Sequence, residues 1–266
     1  MRMLVPVRVA LAAFLLLAVA VGAVRAETVV DLELVLAVDV SMSMDPEEQR
    51  LQRGGYIAAF RDPDVLKGIQ SGSQGRIAVT YIEWAGPQVQ AALIPWRLID
   101  GPSSAEAFIA ELSSKEYSRY HWTSISAALA FSHRQFGMSD YRGVRRVIDV
   151  SGDGVNNSGP SIAPVRDMIV ESGVVINGLP IVLKPTTVLT PYDAPDLDVY
   201  YSHRVIGGAG SFMIPIRNRE EFVTATRRKL LLEISGIVSE PRLMHAQLGP
   251  PEGKYDCGLL ERQIRP

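Results

Sequence analysis

The sequence holds a single cysteine, Cys257, among 266 residues. That excludes an internal disulfide, so a stable fold must rest on its packed core. Histidine is scarce as well: His121, His133, His203 and His245 show no metal-ligand spacing, and no GxSxG nucleophile motif occurs. There is no basic excess. Lys and Arg total 27 against 29 Asp and Glu, and the first 26 residues hold three of the arginines and no acid, which leaves about −5 on residues 27–266. Such a balance offers no electrostatic footprint for nucleic acid. Internal repeats and low-complexity tracts are missing, and past residue 26 no apolar run is long enough to span a bilayer.

One long apolar stretch does stand at the start. "MRMLVPVRVALAAFLLLAVAVGAVRA" joins Arg2 and Arg8 to an apolar run and a small-residue ending at Val24 and Ala26. This is the pattern of a cleaved export signal over residues 1–26, with an uncleaved membrane anchor as the alternative. Cleavage after Ala26 leaves 240 residues, enough for one domain with a full core over 27–238 and a tail over 239–266. The expected location is periplasmic or secreted, with membrane association only if the signal is retained. Cys257, in "KYDCGLL", reads as a packed or loosely exposed thiol without a catalytic partner.

The segment "LELVLAVDVSMSMD" (32–45) runs apolar from Leu32 to Val38 and ends in carboxylates and hydroxyls. A nearly unbroken apolar run predicts a strand covered on both faces, as in parallel sheets flanked by helices. Asp45, Pro46 and Glu48 then have capping-box spacing and predict a helix to about Phe60. "RDPDVLKGIQSGSQG" reads as a surface connection. The β-rich runs 76–86 and 88–99 around Gly86-Pro87 predict a hairpin. Ser103 or Ser104 is placed as the cap of a helix to about Ser114, and a second helix starts near Thr123, with Ile125, Ala128, Leu129, Ser132 and Phe136 on one face.

"GVRRVIDVSGDG" is another strand ending in a polar cluster. Residues 160–172 read as helix, 174–183 and 210–216 as extended, 218–236 as a terminal amphipathic helix, and the Pro-rich "LKPTTVLTPYDAPDLD" as an irregular surface loop. Alternating strands and helices imply an α/β fold: a doubly wound, mostly parallel sheet with one antiparallel edge strand and helices on both faces.

In the doubly wound order 3-2-1-4-5-6, the first and fourth strands are neighbours and their carboxyl ends share a crevice. Asp39, Ser41 and Ser43 follow the first strand, Asp153 follows the fourth, and Thr123 stands at a helix start. Oxygen-only ligands without His or Cys suit a hard cation such as Mg²⁺, which keeps some of its waters.

"DVSMS", Thr123 within "WTSISAAL" and Asp153 in "VIDVSGDG" resemble the metal-ion-dependent adhesion site of von Willebrand factor type A domains, over about Asp31 to Ser235. More narrowly, "DVSGDGVNNSG", "RVIGGAGSF" and "FVTATRRKLLLEIS" are similar to a family of exported bacterial proteins of unknown function that carries this domain. The resemblance implies Ser41, Ser43 and Thr123 as direct hydroxyl ligands of Mg²⁺ (or Mn²⁺ or Ca²⁺), with Asp39 and Asp153 acting mostly through bound waters. Neutral hydroxyls leave the cation poorly neutralised, so a partner's Asp or Glu can complete its coordination. The expected function is therefore metal-dependent protein binding without catalysis. His121-Trp122 departs from the family, where small glycines are common, and that bulk narrows the metal face or supplies aromatic contact to the partner.

Rival readings follow from the same residues. A phosphatase-like hydrolase with Asp39 as nucleophile lacks a second acid, since Ser41 stands where its proton donor belongs. A calcium loop starting at Asp149 has Pro160 at the twelfth position, which should be Glu, and so is set aside. Asn156 and Asn157 are expected to support the loop by backbone hydrogen bonds. A structural envelope protein with a non-functional site remains a third reading.

Overall fold

The apolar run that opens the domain becomes the central strand. In the computed structural model, which describes residues 27–183 and 196–236, strand β1 spans Thr28–Asp39 and is buried along its last eight residues. Its side chains alternate between two cores. Leu32, Leu34, Leu36 and Val38 face one of them, while Val35 and Ala37 face the other. Both faces are covered by helices, which is why the run from Leu34 to Val38 is apolar at every position instead of at alternate ones.

The other strands are β2 (Ile77–Trp84), β3 (Gln90–Ile99), β4 (Tyr141–Gly152) and β5 (Val175–Pro180). Their order in the sheet is β3-β2-β1-β4-β5. All pairs are parallel except β2 with β3. The hairpin thus supplies the antiparallel edge, and Pro95 sits on this edge strand, where a missing N–H is tolerated. The register is irregular there, between Val79 and Ile82.

Helices α1 (Pro46–Arg61), α2 (Pro63–Gln70), α3 (Pro102–Ser113) and α7 (Glu221–Ser235) contribute to the first core, through Tyr56, Phe60, Val65, Phe108 and Leu230. The second core takes Ile125 and Leu129 from α4 (Ile125–Phe136), Ile162 and Ile169 from α5 (Ile162–Glu171), and Tyr200 and Tyr201 from a short α6 (Leu197–Tyr200) that continues as a π-helical turn, Tyr201–Val205. The capping box at α1 forms as the spacing requires: Asp45 accepts from Glu47 N and Glu48 N, and the Glu48 side chain accepts from Asp45 N at 2.8 Å.

Several expectations need correction. Residues 63–70 are a helix, capped by the Asp62 side chain and anchored by buried Val65 and Ile69, and not a plain surface connection. Helix α3 is capped at Gly101. Ser104 lies inside its first turn and reaches back to accept from Gly101 N, 3.2 Å, and Asp100 N, 3.0 Å. Residues 210–216 do not form a sixth strand of the described sheet. They touch the region of β5 through isolated bridges, Gly178 to Met213 and Ile181 to Ile216. Residues 1–26, where an export signal is expected, most of the Pro-rich loop and the tail with Cys257 lie outside the described residues.

Candidate functional site

The end of β1 bends into a turn that its own carboxylate holds. Asp39 Oδ1 accepts from Ser41 N at 2.7 Å. This pins the turn so that Ser41 Oγ comes 2.7 Å from Ser43 Oγ, and Ser43 Oγ donates to Asp153 Oδ1 at 2.5 Å. The capped start of α1 follows at once, so Ser43 is held between a strand end and a helix start. Because β1 and β4 are adjacent, Asp39 and Asp153 share one crevice, as the strand order requires. Gly152 permits this approach: a Cβ at that position would stand 2.7 Å from Asp39 Oδ2.

Thr123 arrives from the loop before α4. Trp122 has φ 70°, the left-handed region that a bulky residue adopts only at a cost of about 1–2 kcal/mol. The turn is then locked on both sides of Thr123: its N–H donates to Asn157 Oδ1 (2.8 Å), its carbonyl accepts from Asn157 N (2.9 Å), and Ser124 N donates to Ala85 O (2.8 Å). Thr123 Oγ1 and Ser43 Oγ lie 3.7 and 4.0 Å from one point, the position of a Cβ on Gly154. The five expected residues therefore converge on one crevice. Asp39, Ser41, Thr123 and Asp153 are buried, and Ser43 is exposed at the mouth. A cleft of about 520 Å³ lined by Ser43, Asp45, Glu48, Arg217 and Arg219 opens beside it.

The electrostatics are those of two acids in a dry place. Burial, with the Asp153 charge second, pushes the Asp39 carboxyl up to about 8, against hydrogen bonds from Ser41 that lower it. Asp39 Oδ2 is buried without a hydrogen-bond partner. A buried carboxylate oxygen left bare costs free energy that a nearby cation removes. The residues present thus fit a hard divalent ion: two carboxylates, three hydroxyls, and no nitrogen or sulfur donor. Among the described residues no group of three or more His, Cys, Asp or Glu side chains could hold a metal, so hydroxyls must supply the rest of any ligand set here.

The remaining motif residues fall where their plain chemistry puts them. Asp149, the first residue of the supposed calcium loop, is buried against Lys229 Nζ at 2.7 Å and takes no part in the crevice. Asn156 supports the loop as expected, accepting from Ser126 N at 3.1 Å and donating to Pro160 O at 3.0 Å. His133 bonds Ser172 Oγ on the helical surface, and His121 is exposed on the loop before Thr123. Two features escaped sequence reasoning. Tyr201 brings a buried hydroxyl towards Gly152 and Asp39, and its own ionisation is pushed up by burial and then by Asp39. Tyr120 pairs with Ser41 in an isolated parallel bridge, its N–H donating to Val40 O and its carbonyl accepting from Met42 N. Both lie in segments without a periodic pattern, so only tertiary placement reveals them.

Comparison with known proteins agrees with this fold. The fold is that of von Willebrand factor type A domains. Proximal thread matrix protein 1 from the mussel byssus, solved with a zinc-occupied MIDAS motif, aligns with 77% of this chain and 46% of its own at 13% identity and TM-score 0.54. The pilus adhesin SpaC from Lactobacillus rhamnosus GG aligns over 78% of this chain and 31% of its own, at 12% identity and TM-score 0.55. A von Willebrand factor type A protein from Catenulispora acidiphila aligns over 77% and 43%, at 12% identity and TM-score 0.52. The chain spans less than half the length of each of these three proteins. No curated protein matches the sequence. A family model covers most of the chain, residues 29–238, and by that match the chain belongs to the family described as "Protein of unknown function (DUF1194)".

Proposed function

We propose that this chain is an exported, non-enzymatic binding domain that recognises a carboxylate on a protein partner through a divalent cation, Mg²⁺ or else Mn²⁺ or Ca²⁺. The observation that carries the reading is the buried Asp39 Oδ2, without a hydrogen bond, in a crevice that also gathers Ser41, Ser43, Thr123 and Asp153. Ser41, Ser43 and Thr123 would hold the cation through hydroxyl oxygens, while Asp39 and Asp153 orient bound waters and balance charge. A cation so held supplies a Lewis-acidic position open to an incoming Asp or Glu. Ser43, exposed at the mouth, marks the side from which that acid enters. The adhesin and matrix-protein neighbours support protein binding, and the apolar N-terminal segment supports export to the periplasm or beyond.

The test is thermal unfolding of the purified protein during titration with Mg²⁺, Mn²⁺ and Ca²⁺. Binding to the native state alone raises stability by about 2.7 kcal/mol at a hundredfold excess over Kd. Wild type should respond to at least one ion, while the double variant Ser41→Ala, Asp153→Ala should not. A wild type indifferent to all three ions overturns the reading.

A further inference from the structure

Apolar surface is unevenly spread over this molecule. Among the described residues, the exposed aromatic side chains are Tyr117 (49%), Tyr120 (44%) and Trp122 (48%), all in one loop, and exposed Met42 (47%) is joined to that loop. Met42 lies between the two serines of the crevice, and Trp122 immediately precedes Thr123. At each of the two chain segments, a polar ligand position therefore alternates with an exposed apolar side chain.

The loop is rigid by construction. Met42 N donates to Tyr120 O (2.8 Å), Tyr120 N to Val40 O (3.0 Å), and Arg119 Nη2 to Met42 O (2.8 Å). From below, Gln49 Nε2 donates to Ser118 O and Arg53 Nη1 to Lys115 O, and the Arg53 guanidinium lies 3.9 Å from the Tyr117 ring centroid. Arg53 is itself fixed by a buried ion pair to Glu83, 2.7 Å. Side chains presented by a backbone tied down this well lose little freedom on binding. Exposed aromatic and Met clusters of this kind mark interaction surfaces. Trp122 keeps its ring at the rim despite a left-handed backbone better suited to glycine.

We infer that this rim is the second half of the recognition surface, and that the partner is a protein segment whose Asp or Glu is flanked within two residues by bulky apolar side chains. The inference rests on the metal-dependent reading above and narrows its partner. With the acid at the crevice, neighbouring side chains of an extended segment meet the apolar rim formed by Met42, Tyr120 and Trp122. Arg119 adds a cationic group beside the crevice, which complements an acidic segment and steers its approach.

Three capped peptides test it: Gly-Leu-Asp-Leu-Gly, Gly-Gly-Asp-Gly-Gly and Gly-Leu-Asn-Leu-Gly, titrated into ¹⁵N-labelled protein with Mg²⁺ or with chelator, reading the tryptophan indole N–H signals. In Mg²⁺ the leucine-flanked acid should bind at least about fivefold tighter than the glycine-flanked one, the worth of partly burying one leucine. The asparagine peptide should lose binding, as should every peptide in chelator. The double variant Met42→Ser, Trp122→Gly should keep its thermal response to Mg²⁺ and lose the preference for leucine. A wild type without metal response overturns both readings together. A wild type that responds to metal but binds the two acidic peptides equally overturns the rim alone, and one that responds to metal yet binds neither overturns carboxylate recognition with it.

Discussion

Trp122 places a large ring on a backbone that turns the wrong way for it. Relieving φ 70° recovers about 1–2 kcal/mol, and the looser unfolded chain of a glycine variant takes back about 0.5–1. Since half of the ring is exposed, little packing is lost. Trp122→Gly should therefore leave the urea midpoint unchanged or raise stability by up to about 1 kcal/mol, whereas a drop of 2 kcal/mol or more, on the order of losing a buried aromatic side chain, would show that the ring is part of the core. Asn157 acts at the same scale but in the opposite sense. Its carboxamide oxygen holds the Thr123 N–H at 2.8 Å, so Asn157→Ala should lower Mg²⁺ affinity about 10–100-fold in calorimetric titration while Thr123 itself is intact. Unaltered affinity would mean that Thr123 needs no such clamp.

At the scale of elements, α7 is fastened to β4 by charge. Lys229 reaches Asp149 on β4 at 2.7 Å and Glu233 one turn along its own helix, all three without solvent exposure of their side chains. Tyr56 of α1 donates to Asp149 Oδ2 at 3.3 Å, and Asn177 of β5 donates to Glu233 Oε1 at 3.0 Å. Removing one partner strands the others in the core, so Lys229→Met should cost about 3–5 kcal/mol in chemical unfolding. A cost below about 1 kcal/mol, that of an exposed pair, would show that water reaches these groups. This cluster also marks where sequence reading stops. The amphipathic pattern of 218–236 announces a helix, but Lys229 and Glu233 look like surface charges until Asp149 is found beneath them. Helix α2 was hidden for another reason: its apolar face, Val65 and Ile69, is clear, but at eight residues, with Gly68 inside and Ser and Gly after it, the segment is short enough to read as a connection. By contrast β1, buried on both faces, and α1, with its full capping box, are written in local sequence. The crevice was legible for the same cause. Asp39, Ser41, Ser43 and Asp153 end or follow β1 and β4, and strand order brings those ends together, whereas the placing of Thr123 by Asn157 and the approach of Tyr201 arise only once distant segments meet.

For the whole molecule these buried acids set a dependence on pH. Burial pushes Glu233 up to about 7, a shift that Lys229 opposes, and Asp149 is displaced in the same direction by burial. Between its ordinary value and about 7, Glu233 keeps a proton in the folded state that the unfolded chain has released. Its contribution to stability is therefore complete below the ordinary carboxylate range and fades as pH rises towards 7. Urea unfolding in chelator should show stability falling by about 1 kcal/mol or more from pH 5 to pH 8, Asp39 and Glu233 both contributing, with a shallower slope for Glu233→Gln. A flat profile for wild type would place both Asp39 and the Lys229 cluster in a wetter setting than the fold gives them.

The bond from Ser43 to Asp153 ties together groups 110 positions apart in the chain. A polypeptide cut or halted between them owns Asp39, Ser41 and Ser43 yet lacks the Asp153 carboxylate that Ser43 meets. Closure of the crevice therefore waits until the fourth strand lies beside the first.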